Sequence, residues 1–95
     1  MMADQSAEPE EGARAELLER LDAIIAAVEA GSYDPARQAL FVGKWTQEID
    51  VEDLPVELLS KAVERTNAAH AALSRWPPDT GGARSMLQDA RELLS

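Results

Sequence analysis

The stretch of sequence that decides the fold runs from residue 33 to residue 49 and reads Tyr33-Asp34-Pro35-Ala36-Arg37-Gln38-Ala39-Leu40-Phe41-Val42-Gly43-Lys44-Trp45-Thr46-Gln47-Glu48-Ile49. It holds three of the four aromatic residues of the chain. Asp followed by Pro is typical of a helix start, because Asp accepts a backbone N–H bond and Pro lacks the donor that the first turn leaves unused. We therefore predict a central helix that begins at Asp34 and Pro35 and continues to Ile49.

This central helix has two apolar sides at the usual rotation of about 100° per residue. One side carries Phe41, Val42, Trp45 and Ile49, and the other carries Ala36, Ala39 and Leu40. Gly43 lies inside the predicted helix, where it either bends the helix or lets another backbone approach, and its position between Val42 and Trp45 favours close packing.

A small bundle has few side chains with which to cover two large aromatic residues one turn apart. Large apolar surface left open on a small domain usually marks an interface. We therefore predict Phe41, Trp45 and Ile49 as partner-binding residues, partly closed by another protein or by a second copy of the chain. The alternative is that the neighbouring helices bury both sides completely.

The most regular helical pattern precedes this segment, from Ala13 to Ala30. Apolar residues recur there at helical spacing, at Leu17, Leu21, Ile24 and Val28. Gly31 favours a left-handed helix end, and the short link that follows predicts that the first two helices form an antiparallel hairpin. Glu16 and Arg20 are spaced to pair on the outer side.

A third helix is predicted from about Pro55 to Trp76, after a break at residues 50–55 in which Asp50 or Asp53 caps the helix. Pro77 and Pro78 end it, because neither has a backbone donor and Pro disfavours a helical conformation in the residue before it. Its apolar arc contains Leu58, Leu59, Ala62, Val63, Thr66, Ala69, His70, Leu73 and Trp76.

A last helix is predicted after a loop at residues 79–82, with Asp79 or Thr80 as its cap. Its apolar face contains Met86, Leu87, Ala90, Leu93 and Leu94. Because β-branched residues are sparse and no polar–apolar alternation persists, the sequence predicts an all-α fold. We expect a small antiparallel bundle of three to four helices over residues 13–95, preceded by a disordered acidic tail at residues 1–12.

Composition narrows the function. The 95 residues carry a net charge of −9, which disfavours nucleic acid and membrane surfaces as partners. No apolar run reaches the roughly 18 residues that a membrane span requires, and the acidic N-terminus is unlike a signal peptide. The absence of Cys is compatible with a reducing compartment, and we expect a cytoplasmic protein.

The sequence contains no catalytic pattern, and we predict no enzyme activity, no cofactor and no metal site. With one His and no Cys, the chain cannot form a Cys or multi-His metal site. His70 as a catalytic base would need a nucleophile or an orienting acid nearby, whereas a His at the edge of a core needs one hydrogen-bond partner. We expect His70 to be such a core-edge residue.

The hairpin resembles known helical families. Residues 27–40, with Gly31, Tyr33, Ala36 and Leu40, look like the turn of one tetratricopeptide repeat. In layout, residues 17–76 also resemble the FliT-like chaperones of flagellar and type III secretion systems, which are small, acidic and helical, and whose Gly-acid-aromatic turn appears here as Tyr33-Asp34 after Gly31. That resemblance implies a chaperone for a secreted client.

Two functions therefore remain open from the sequence. The first is a protein-binding adaptor, chaperone or regulator that covers an apolar helix of its client. The second is an acidic inhibitor or nucleic-acid mimic that occupies a basic site on its target through residues 4–19 and 48–57. Salt separates the two, because exposed charges are screened whereas an apolar contact is not.

Overall fold

A computed structural model describes residues 12–52 and 54–95 and confirms an all-α helical bundle. Its helices are α1 (Gly12–Glu29), α2 (Tyr33–Leu40), α3 (Val56–Leu73) and α4 (Thr80–Leu94). A short 3-10 segment, Phe41–Thr46, follows α2 directly. The predicted acidic tail lies outside the described residues except for Gly12, which begins α1.

The helices are arranged up, down, up and down. Arg91 and Arg84 of α4 pair with Asp22 and Glu29 of α1 at 2.6 and 3.4 Å, so α4 runs antiparallel to α1. The link at Gly31, whose φ is +84°, turns the chain from α1 into α2 and forms the predicted antiparallel hairpin. Each of α1 and α3 packs against both α2 and α4, so α1 and α3 lie across the diagonal of the bundle.

The core lies between the four helices. In α1, the apolar residues are buried at the helical spacing that the sequence predicts. Leu17, Leu21, Ile24 and Val28 are all buried. From the other helices the buried residues are Ala36, Leu40, Ala62, Thr66, Ala69, Leu73, Ala83, Leu87, Ala90 and Leu94. Many of these are alanine, which allows the helices to approach closely.

The central helix differs most from its prediction, because α2 ends at Leu40 instead of continuing to Ile49. Val42 and Gly43 adopt left-handed backbone angles, with φ of 51° and 70°, and this turns the chain out of the helix. A Cβ added at Gly43 would meet only Thr46 Oγ1 at 3.8 Å. Gly43 is therefore required for its conformation, which Gly adopts without strain, and the predicted close packing is wrong.

The start of α2 also differs from its prediction. The helix begins at Tyr33, with Ser32 as an N-cap that makes no side-chain hydrogen bond. Asp34 binds the Arg37 guanidinium instead of a backbone N–H. The predicted cap at Asp50 is wrong as well, because its carboxylate accepts from the Glu52 backbone N–H while α3 begins after Pro55; Asp53 lies outside the described residues.

The sequence prediction is wrong at the start of the α3–α4 link and correct at its end. Helix α3 ends at Leu73, and the Asp79 N–H closes the link by donating to the Ala72 carbonyl at 2.9 Å, so Trp76 lies outside the helix and is 91% exposed. Its predicted place on the α3 core face is therefore wrong. The cap at Asp79 is confirmed, since its carboxylate accepts from the Gly82 N–H at 3.0 Å.

Candidate functional site

The three predicted partner-binding residues are not on one surface. Phe41 is 54% exposed, Ile49 is half-buried, and Trp45 is only 2% exposed inside the bundle. The prediction of a single, partly open side is wrong for Trp45 because the left-handed turn at Val42 and Gly43 rotates its indole into the core. Phe41 alone of the three remains on open surface.

Trp45 is held by a buried hydrogen bond that sequence reasoning did not find. Its Nε1 donates to Thr66 Oγ1 at 3.0 Å, and Thr66 Oγ1 in turn donates to the Val63 carbonyl at 2.8 Å. Both polar side chains are thereby satisfied inside the core, as buried polar groups generally are. The sequence predicts Thr66 on the core face of α3, but no local pattern predicts that its hydroxyl accepts a hydrogen bond from the Trp45 indole.

The backbone of the 3-10 segment is anchored from α1. Arg20 donates to the carbonyl of Trp45 at 3.2 Å and to that of Gln47 at 2.8 Å. Its guanidinium therefore serves the segment rather than the predicted pair with Glu16. Thr46 Oγ1 adds a local bond to the Gly43 carbonyl at 2.7 Å. The turn is consequently fixed by contacts from both α1 and α3.

This anchored turn presents two neighbouring apolar side chains, Phe41 and Val42, to the surface. Val42 is 75% exposed, and its left-handed backbone is unusual because β-branched residues are strained there. Such strain persists only where the surrounding structure enforces it, and it is concentrated at functional sites. We call Phe41 and Val42 the apolar turn.

A shallow pocket of about 250 Å³ adjoins the apolar turn. It is lined by Arg37, Gln38, Phe41, His70 and Ser74, and we call it the His70 pocket. The rings of Phe41 and His70 are 5.8 Å apart between centroids and tilted by 52°. His70 is half-buried at the edge of α3, as predicted, but no described residue hydrogen-bonds to its ring nitrogens.

The other polar groups of the pocket have defined partners. The Arg37 guanidinium donates to the Leu73 carbonyl at 3.4 Å and also binds the Asp34 carboxylate. The Ser74 hydroxyl donates to the main-chain carbonyl of His70 at 2.9 Å. Among the five lining residues there is a guanidinium, an amide, an imidazole and a hydroxyl, but no carboxylate.

A second apolar region lies between α3 and α4. A groove of about 430 Å³ between α3 and α4 is lined by Ala68, Ala71, Ala72, Arg75, Asp79, Gly82 and Met86. The exposed Trp76 stands on the link at one end of these helices. We call this region the α3–α4 groove.

The charged surface consists mainly of separate exposed groups and of ion pairs between helices. Glu48, Asp50 and Glu52 are all exposed in the segment before α3. Hydrogen bonding to Asp22 raises the pKa of Arg91. Within residues 12–52 and 54–95, no group of three or more His, Asp or Glu side chains is placed to hold a metal ion.

Comparison with protein-family models, with curated proteins and with solved structures gave no match for this chain. In the described part of the chain, none of the helices combines the length and the apolar character needed to cross a bilayer.

Proposed function

We propose that this chain is a cytoplasmic, non-catalytic adaptor or chaperone that binds another protein and covers an apolar helix of that client with the apolar turn. The observation that carries the proposal is the exposure of Phe41 and Val42 on a strained but well-anchored turn. A rigid apolar projection needs little ordering on binding, which favours affinity. The resemblance in layout of residues 17–76 to the FliT-like chaperones motivates the chaperone part of the proposal.

The apolar turn needs additional contacts to hold a client. Complete burial of a Phe or Val side chain contributes about 1.5–3 kcal/mol, so two such side chains supply at most about 3–6 kcal/mol. Association alone costs at least about 4 kcal/mol. The client must therefore also cover the neighbouring surface, and the His70 pocket is the adjoining concave part of it.

Copurification with matched variants tests the proposal. The full tagged chain is expressed in its source cells and its partner is identified by mass. In the test variant, Phe41→Ser and Val42→Asn remove both apolar groups, and Asn tolerates the left-handed backbone. The control is Val56→Asn, because Val56 is 81% exposed at the start of α3, away from the turn. Thermal melts of each variant show that the fold is intact.

We expect the double variant to lose the partner and Val56→Asn to keep it. A third variant, Trp76→Ser, separates the apolar turn from the α3–α4 groove. Loss of the partner with Trp76→Ser, but not with the double variant, would assign binding to the groove and reject the apolar turn. Self-association that the double variant abolishes would identify a second copy as the occupant.

The second candidate function is an acidic inhibitor or nucleic-acid mimic, and the exposure of Glu48, Asp50 and Glu52 supports it. Neutralising these three residues should then weaken partner binding at low salt more than at high salt, because exposed charges are screened at high salt. An equal loss at both salt concentrations counts against the mimic.

A further inference from the structure

We infer that the His70 pocket receives an acidic side chain of the client, beside the apolar residues that pack on Phe41 and Val42. The inference rests on the proposed function and adds the chemistry of the residue that the client must carry.

The residues that line the His70 pocket favour a hydrogen-bond acceptor as the bound group. Gln38 and His70 can each donate a hydrogen bond, and Arg37 supplies a positive charge. A carboxylate offers only acceptors and gains a charge-assisted bond from a guanidinium, whereas an amine of the client would face Arg37 unfavourably. No lining residue is an acid, and the Asp34 carboxylate beside Arg37 is engaged in an ion pair with it.

Arg37 retains exposed surface and hydrogen-bond donors for such a contact. Its bonds to the Leu73 carbonyl and to Asp34 hold the guanidinium at the rim, and its side chain keeps 37% of its surface exposed. Arg has five N–H donors, so these two partners leave donors for a third. Asp34 partly offsets the charge of Arg37, which leaves an important share of the binding to the imidazole of His70.

The charge of the whole chain makes this pocket selective. The chain carries a net charge of −9, whereas the lining of this pocket includes no acid and the neighbouring Asp34 carboxylate is paired with Arg37. An acidic residue next to the apolar stripe of the client would therefore fix the orientation in which the client helix docks. In other orientations the acidic residue of the client would meet acidic residues of the chain, and this repulsion disfavours those orientations.

Two designed peptides test the inference. Both are amphipathic helices of leucine and alanine with blocked ends, and they differ in one residue beside the leucine stripe, which is Glu in the first and Gln in the second. Binding to the full chain is measured by titration calorimetry, and chemical-shift changes of the His70 ring and of Phe41 locate the site. Blocked ends ensure that the Glu side chain is the only carboxylate.

We expect the Glu peptide to bind about tenfold more tightly than the Gln peptide, as one charge-assisted hydrogen bond supplies. The preference should disappear in His70→Ala and in Arg37→Gln. It should remain in Arg75→Gln, which removes a 71% exposed cation outside the pocket and changes the net charge equally. The use of two pocket variants keeps the test valid if Arg37→Gln fails to fold.

The outcomes distinguish the inference from the proposed function. Equal binding of both peptides at the apolar turn, or a Glu preference that survives in His70→Ala, overturns the inference and leaves the proposed function standing. Binding of neither peptide overturns both. Shifts confined to the α3–α4 groove reject the pocket as well as the apolar turn.

Discussion

The indole Nε1 of Trp45 donates a hydrogen bond to Thr66 Oγ1 at 3.0 Å in the middle of the bundle. This bond joins the 3-10 segment to α3. The Trp45 side chain fills the part of the core that lies beyond the end of α2. The turn that directs Trp45 into the core also leaves Phe41 and Val42 exposed on the surface.

Replacing Trp45 with Ala should unfold the isolated protein or lower its stability by about 3–5 kcal/mol, since a buried Trp leaves a large cavity. Domains of this size have only a small reserve of stability. A thermal melt by circular dichroism measures the effect. A melt close to that of the native chain would contradict the burial of Trp45 and restore it as an interface residue.

Thr66→Val should destabilise the fold by about 1–3 kcal/mol, because it leaves the buried indole N–H of Trp45 without an acceptor. In a Trp45→Phe background the same change should cost much less, since the donor is gone. Urea unfolding of the four proteins gives the coupling between the two residues. Additive losses would show that the hydrogen bond does not contribute.

Val42→Asn should stabilise the protein by about 1 kcal/mol, because it removes a β-branched residue from a left-handed backbone at an exposed position. Val56→Asn is the control, as Val56 is equally open but helical. The midpoint of urea unfolding is compared for the two variants. A lower midpoint for Val42→Asn would mean that Val42 packs in the folded chain.

Asp79→Ala should destabilise the protein by about 1 kcal/mol through loss of the bond to the Gly82 N–H at the start of α4. Asp89→Ala changes the same charge on the same helix without removing a cap. The expected shift in melting temperature is several degrees for Asp79 and close to none for Asp89. Equal shifts would show that charge, not capping, is responsible.

The sequence predicted those parts of the fold that depend on local spacing. The stripe of α1 follows from a helical period, and the cap at Asp79 follows from residue chemistry. The end of α3 was predicted at Trp76, next to Pro77, but the helix already ends at Leu73. Trp76 continues the apolar arc of α3 in the sequence, but it lies in the link that follows the helix. The conformation of that link depends on the hydrogen bond from the Asp79 N–H to the Ala72 carbonyl, which local spacing does not predict.

The candidate site was predicted only in part, for a physical reason. Phe41 was identified as an open residue, but Trp45 was assigned to the same side because local periodicity favours an unbroken helix. The bond that overrides this pattern joins residues 21 positions apart, and no local spacing reveals it. Gly43 carried the available signal, since Gly within a helical pattern often marks its left-handed end.

Site-specific photocrosslinking tests the central claim most directly. A photoreactive phenylalanine analogue is placed at position 41, 56 or 76 of the full chain in its source cells, and the crosslinked partner is identified by mass. The apolar turn predicts a strong adduct with one protein at position 41 and little at positions 56 and 76. An adduct confined to position 56 or 76, with none at position 41, would contradict it.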